Sequence, residues 1–208
     1  FFIKGFFKNK NNSKNSVTLS QDTSGLKKIT INKKPITKRK ELLGLNNVVV
    51  FSPEEEEITK GSPINRRNYF DKIFSICSYS YLNELLSYNK ILKQRNSLLR
   101  TEKNTIKKQK EIEIWNKPLI QKGFSLWSKR KAMMNEFISF FIKTVNRFDK
   151  NLKLDIKYDL KSQNEEEYNI KLIEKTDSDI KKKHTSFGPH RDDVFFFWDQ
   201  KQIKNHGS

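Results

Sequence analysis

The stretch Phe51–Asp71, FSPEEEEITKGSPINRRNYFD, decides how this chain is divided. The apolar run Val48-Val49-Val50 closes on Phe51 and is stopped by Ser52-Pro53. A short β-branched run ended by a breaker predicts a buried strand over 47–51. A turn of glutamates, Glu54 to Glu57, follows, and Gly61-Ser62-Pro63 then starts a helix. Ser62 suits the cap, and Pro63 suits the first helical position, where a missing N–H costs nothing. The helix carries Arg66 and Arg67 and is closed by Asp71. Arg67 and Asp71 are four apart and can pair, while Arg66 points about 100° away. Two roles stay open for the arginines: a contact to phosphate, or an ion-paired connector between lobes. The connector is favoured, because surface pairs of this kind are common and weak.

Before this stretch the chain reads as β. Phe1, Ile3 and Phe7 fall on one side of an alternating run, with Gly5 marking a bulge. Lys8 to Lys14 is a turn, Ser16 to Leu19 a second strand, and Asp22 to Gly25 turn chemistry. Lys28 to Ile31 alternates, and Asn32 to Pro35 turns the chain into Ile36. The expectation is an antiparallel meander with one wet face, then a short helix from Arg39 to Gly44. After the stretch, residues 62–148 read as helix. Phe70, Ile73, Phe74 and Cys77 form one apolar face, and Leu82, Leu85, Leu86, Asn89 and Leu92 form the next. That second helix is expected to run to about Lys110, and a third from Glu111 to Phe148, antiparallel to it. Leu152, Leu154, Ile156 and Tyr158 alternate as a strand, Glu165 to Ile180 is a helix, and Val194 to Ile203 a hairpin.

The chain has 208 residues, enough for one domain or two small ones, and 35% hydrophobic content can build a core. Its net charge of +18 invites a polyanion, nucleic acid above all. Lysine dominates the basic residues and asparagine is abundant, so A-rich codons explain the charge as well as DNA does. Cys77 is the only cysteine, which leaves no disulfide framework and no cysteine-based zinc site, and fits a reducing, cytoplasmic setting. No apolar run approaches the roughly 18 residues that span a bilayer. The chain starts with Phe rather than Met, which suggests a piece of a longer protein.

The chain contains no G-x-x-x-x-G-K-[ST], so it builds no phosphate-cradling loop, and no apolar strand ends in paired carboxylates. His190-Arg191-Asp192-Asp193 offers a histidine and two carboxylates, which on paper suits a metal nuclease. Adjacent aspartates before a strand point to opposite faces, however, and the preferred reading is a hydrogen-bonded turn. No metal site is expected. Lys103, Lys107, Lys108, Lys110, Lys129, Arg130 and Lys131 make the best basic patch, equally a solvated helix face or a DNA contact. Trp115 and Trp127 read as core rather than as stacking platforms.

Taken in order, Phe51–Asp71, Tyr88–Arg100 (YNKILKQRNSLLR), Glu113–Gly123 (EIWNKPLIQKG) and Ser186–Asp193 (SFGPHRDD) resemble the corresponding segments of the RecF family. The last resembles the GPHRDD motif that precedes the family's ABC signature. Thr59, Phe70 and the acidic run Glu55 to Glu57 depart from the pattern. The resemblance implies an α+β fold: part of an SMC/ABC-type ATPase head, with a β-meander lobe and a mainly helical lobe closed by short strands. Residues 1–51 would belong to the nucleotide-binding lobe, and 52–208 to the helical lobe, ending where the signature begins at Gly207-Ser208. It marks Arg66, Arg67, His190, Arg191, Asp192 and Ser208 as candidates for the ATP interface, with no catalytic residue. Full-length relatives are weak DNA-stimulated ATPases that use ATP and Mg²⁺ and dimerise on ATP. They act at single-strand/double-strand DNA junctions with RecO and RecR to load RecA in gap repair and the SOS response. This piece is expected to bind no cofactor alone and to contact no membrane. Two alternatives stand beside this reading: a basic nucleic-acid-binding module without ATPase parentage, and the metal nuclease.

Overall fold

The computed structural model describes residues 1–8, 12–42, 56–101, 105–162 and 164–203. It divides into two units, Phe1–Val50 and Phe51–Ser208. The first holds an antiparallel sheet in sequential order: β1 (Phe2–Lys8), β2 (Lys14–Gln21), β3 (Lys27–Ile31) and β4 (Lys34–Ile36). The β2–β3 and β3–β4 reversals are set by local chemistry. After β2, the Asp22 carboxylate accepts from the Ser24 hydroxyl at 2.6 Å and the Leu26 N–H at 2.9 Å, and Gly25 takes φ +85°. Between β3 and β4, Asn32 and Lys33 both have positive φ, as a two-residue turn matched to strand twist requires. Asn32 also accepts from the Ser16 N–H at 2.8 Å, tying that turn to β2. Gly5 pairs regularly with Val17, so the expected bulge is absent: a glycine can sit in an unbroken ladder. The expected short helix is a 3₁₀ turn, Arg39–Leu42. The expected strand over 47–51 lies outside the described residues.

The second unit contains α1 (Glu57–Lys60), α2 (Pro63–Cys77), α3 (Tyr79–Leu99), α4 (Thr105–Phe148), β5 (Leu154–Asp159), α5 (Glu165–Glu174), α6 (Thr176–Lys182), β6 (Asp193–Trp198) and β7 (Lys201–Gln202). β5, β6 and β7 form an antiparallel sheet, with Tyr158 opposite Val194 and Asp159 opposite Asp193. α3 and α4 are antiparallel: Lys129 meets Ser80, Lys122 meets Glu84, Asn116 meets Arg95 and Lys108 meets Thr101. At 1.5 Å per residue α4 is about 66 Å long.

Two boundaries and one helix face differ from expectation. α3 ends at Leu99, so the basic tract up to Lys110 opens α4 rather than extending α3. The helix expected over Glu165 to Ile180 breaks at Lys175 into α5 and α6. The inward face of α3 carries Tyr81, Leu82, Tyr88, Arg95 and Leu99, while Leu86 and Asn89 are exposed. Leu82, Leu85 and Leu92 of the expected stripe do face the core; hydropathy alone misses Tyr81, Tyr88 and Arg95, because tyrosine and arginine bury long apolar bodies beneath polar heads. Cys77 is exposed for the same reason: Phe70 and Phe74 set the buried line of α2 without it.

The core joins α2, α3, α4, α5 and the small sheet through Phe70, Phe74, Tyr81, Leu119, Leu126, Trp127, Met134, Ile156, Tyr168, Leu172 and Val194. Aromatic edges organise it. Phe70 meets Phe137 at 5.2 Å and Phe74 meets Tyr81 at 5.5 Å, both nearly perpendicular, which the ring quadrupole favours.

Candidate functional site: a buried arginine–aspartate joint

α2, α4, β5 and the turn at 188–193 bring their charged residues to one place. Arg66 grips Asp193 with a fork, Nε to Oδ1 at 2.7 Å and Nη2 to Oδ2 at 2.9 Å, and its Nη1 donates to the Gly61 carbonyl at 2.7 Å. Such two-pronged pairing fixes orientation as well as distance. Arg67 donates to the Asp192 main-chain carbonyl at 2.5 Å. Arg130, from α4, reaches Asp192 Oδ2 at 3.0 Å, the Pro189 carbonyl at 2.8 Å, the Tyr81 hydroxyl at 3.0 Å and both oxygens of Asp71 at 2.9 and 3.2 Å. Tyr81 in turn donates to Asp71. The expected Arg67–Asp71 pair therefore does not form, because Arg130 arrives from α4 and takes the carboxylate. Arg66 and its partner are buried, not a surface pair.

Asp192 is the centre of the joint. Its Oδ2 accepts from Trp127 Nε1 at 2.7 Å and from the Tyr158 hydroxyl at 2.5 Å as well as from Arg130. Its Oδ1 is buried with no donor. Burial pushes this carboxyl up to about 6, against Arg130 and the Tyr158 and Trp127 hydrogen bonds. Asp193 shows the opposite balance. Burial pushes it up, but the Arg66 fork and the Val194 N–H overcome that and hold it below 3.8. Burial alone would lower Arg130; Asp71, Tyr81, Tyr158 and Asp192 reverse this and hold it firmly charged.

A second polar layer fixes the turn from the other side. Arg95, fully buried on α3, donates to Asn116 Oδ1 at 3.1 Å, Asp179 Oδ2 at 2.8 Å and Thr185 Oγ1 at 2.7 Å. Asp179 Oδ1 accepts from the Ser186 N–H at 2.9 Å and its hydroxyl at 2.5 Å. His190 Nε2–H donates to the Thr185 carbonyl at 2.9 Å, leaving Nδ1 to accept from the Tyr88 hydroxyl at 2.6 Å. Burial pushes His190 down to about 4, with Arg191 and Arg67 adding to it, so the ring is neutral at pH 7. Gly188 has φ +137°, and a Cβ there would lie 2.6 Å from the hydroxyls of Tyr88 and Tyr168. A Cβ on Gly123 would lie 2.6 Å from Tyr168 Cε1. Both glycines are thus fitted to one buried tyrosine.

The sequence candidates separate accordingly. Arg66, Arg67, His190, Arg191 and Asp192 gather at the turn, with Arg191 exposed and donating to the Thr185 carbonyl at 3.2 Å. Ser208 lies outside the described residues. Of the basic patch, Arg130 is 4% exposed and belongs to the joint, which corrects its reading as a DNA contact. Lys108 is 6% exposed and donates to the Thr101 carbonyl, a correction of the same kind: its amine ties the α3–α4 connection. Lys129 is held by Ser80 and Glu84. Lys110 and Lys131 are exposed. Lys103 lies outside the described residues, and of Lys107 only its place in α4 is described. Among the described residues no three His, Cys, Asp or Glu side chains gather as a metal would require, and Asp192 and Asp193 answer to different arginines. Sequence reasoning missed Arg95 and Asp179. The available signal was their spacing: Arg95 falls seven residues after Tyr88 and four before Leu99, on the buried line of α3.

No protein-family model matches the chain. Curated relatives match its whole length. The DNA replication and repair protein RecF of Leptospira interrogans (strain Fiocruz L1-130) is 34% identical over 214 residues, covering 100% of this chain and 57% of its own length. The protein of the same name from Lachnoclostridium phytofermentans is 36% identical over 185 residues, 88% of this chain and 51% of its own length. A solved structure of the recombination mediator protein RecF with ATP, in the RecFOR pathway, superposes with TM-score 0.86 at 26% identity, covering 100% of this chain and 58% of that one. The chain thus spans little more than half the length of the relatives it matches.

Proposed function

We propose that this chain, RecF-like along its entire described course, works as the interior of a recombination mediator that binds ATP and DNA. Residues 1–51 would serve the nucleotide-binding lobe and 52–208 the helical lobe. ATP would be held between two copies, closing a clamp on single-strand/double-strand junctions, and hydrolysis would release it. With RecO and RecR, the closed form would help load RecA at gaps in replication and repair.

The observation that carries this reading is the charge left over at the joint. Arg66 and Arg130 are neutralised by Asp193, Asp71 and Asp192. Among the described residues, Arg67 and Arg191 have no carboxylate within ion-pair distance, and both bond main-chain carbonyls of the turn. Those two guanidiniums fit an anion such as the phosphates of ATP, for which arginine's fork is suited. ATP would bring the reactive phosphoanhydride; the residues here would orient it and balance its charge. Among the described residues no three carboxylate, histidine or cysteine side chains gather as Mg²⁺ would require.

The test is sedimentation velocity of the protein from its whole reading frame, with ATP and with ADP, alongside binding to gapped and to continuous duplex. ATP-dependent dimerisation, weakened by Arg191→Ala, and preference for the gapped duplex are expected. The 208-residue chain by itself should not bind ATP at micromolar concentration. Assembly indifferent to ATP, with no preference between DNAs, would remove this reading.

A further inference from the structure

Of the basic patch drawn from sequence on α4, Arg130 and Lys108 are buried and Lys129 is engaged, while Lys110 and Lys131 are exposed. The structure assigns the phosphate contact instead to the solvent face of α3. This inference rests on the DNA-binding reading above and gives it a surface.

Asn83, Leu86, Lys90, Lys93, Ser97 and Arg100 recur at three- and four-residue steps, so they share one face of α3, and all six are exposed. The only carboxylate of α3, Glu84, is turned away to Lys122 and Lys129 of α4. The face is therefore cationic and amide-bearing with no acid of its own helix. Lys90 to Arg100 spans about 15 Å, about four base-pair steps at 3.4 Å per strand phosphate.

Asn96 of α3 accepts from the Thr185 N–H at 2.8 Å, and Arg95 binds Asp179 and Thr185. These bonds tie Asp179 and Thr185 to the last turns of α3. No carboxylate among the described residues lies within ion-pair distance of Lys90, Lys93, Arg100, Lys181 or Lys182. Asp177, nearby on α6, accepts from the Gln109 amide.

The fitting partner is the backbone of duplex DNA. A single-strand site would need exposed rings on which bases stack, and the face from Asn83 to Arg100 exposes none, Tyr88 being buried. A lipid surface would need an apolar side to insert, and Leu86 alone does not supply one.

The test uses fluorescence anisotropy of a labelled duplex between 50 and 200 mM KCl on the protein from its whole reading frame. The variant Lys90→Gln, Lys93→Gln, Arg100→Gln is compared with Lys131→Gln, Lys143→Gln, Arg147→Gln on exposed α4 positions, which removes the same charge. Each lost phosphate contact flattens the plot of log K against log salt by about 0.9, so the α3 variant should lose about 2 to 3 of its slope and the α4 variant less than about 1. Equal losses, or a difference below about 1, would overturn the assignment. Acetylation footprinting of the unaltered protein gives an independent reading: duplex should protect Lys90 and Lys93 more than Lys131, and equal labelling would count against the patch. If the unaltered protein ignores duplex altogether, the functional reading fails; if it binds with a steep salt slope and the α3 variant matches it, only this inference fails.

Discussion

Replacing Asp192 by Asn should reverse a pH dependence that its ion pair would suggest. Asp192 has an arginine at 3.0 Å, and an aspartate so placed is ordinarily held below its usual range. Here three donors crowd Oδ2 and none reaches buried Oδ1, so burial outweighs attraction and the carboxyl rises from 3.8 to about 6. At about 1.36 kcal/mol per pH unit, that displacement is worth about 3 kcal/mol. The sign follows from proton counting. Between about pH 4 and 6 the folded chain keeps a proton that the unfolded chain has released, so stability falls as pH rises, and the full penalty stands above about pH 6. Asn keeps an oxygen for Trp127, Tyr158 and Arg130 but has no charge to desolvate. Urea unfolding followed by tryptophan fluorescence, at intervals from pH 4 to 7.5, should show unaltered protein losing about 3 kcal/mol relative to Asp192→Asn. A flat difference, or unaltered protein gaining on the variant as pH rises, would mean that Arg130 wins over burial and would refute the argument.

Asp193→Asn should behave with the opposite sign: Asp193 is held below 3.8, so its contribution is present above that pH and lost as pH falls through its lowered folded value, and the same titration compares the two neighbours. Arg66→Met leaves Asp193 buried without its fork and should cost about 3 kcal/mol, the low end for a broken buried pair because the Val194 N–H remains, measured by urea midpoint at pH 7. Gly123→Ala should cost about 1–3 kcal/mol by pressing on Tyr168, and a variant as stable as the parent would show that Tyr168 can yield.

How much of this was legible beforehand depended on what sets each feature. The meander was readable because turn chemistry is local: Asp22 to Gly25 and Asn32-Lys33 reverse the chain by their own backbones and side chains. β5 was readable because Leu154, Ile156 and Tyr158 alternate. The α3 face was legible only at Leu82, Leu85 and Leu92, since Tyr81, Tyr88 and Arg95 count as polar or ambivalent until their partners are known. The same limit governed the site. The order of motif residues brought Arg66, Arg67 and Asp192 forward as a group, yet helix spacing assigned Asp71 to Arg67. Only tertiary contact shows Arg130 taking it from 59 positions away. Arg130 and Lys108 were misread for one reason: a lysine or arginine in a basic run looks solvated until the fold supplies carbonyls and carboxylates for it.

The joint is not explained by stability. Removing one member of a buried ion pair is expensive, but replacing the whole pair with apolar groups is often neutral or favourable. Phe, Leu and Trp already fill the space between α2, α4 and the small sheet. What apolar packing cannot do is choose the direction of a main-chain turn. Arg130 holds the Pro189 carbonyl and the Asp192 side chain at once, Arg67 holds the Asp192 carbonyl, and Arg66 holds Asp193. Pro189, Asp192 and Asp193 are thereby each bonded to α2 or α4. The charges also fail to cancel: Arg66, Arg67, Arg130 and Arg191 face Asp71, Asp192 and Asp193, so one positive charge remains. That excess sits with Arg67 and Arg191, which the same bonds point along the turn rather than into a carboxylate. A joint built only to hold would have been neutral; the charge this one keeps is what the proposed ATP contact would use.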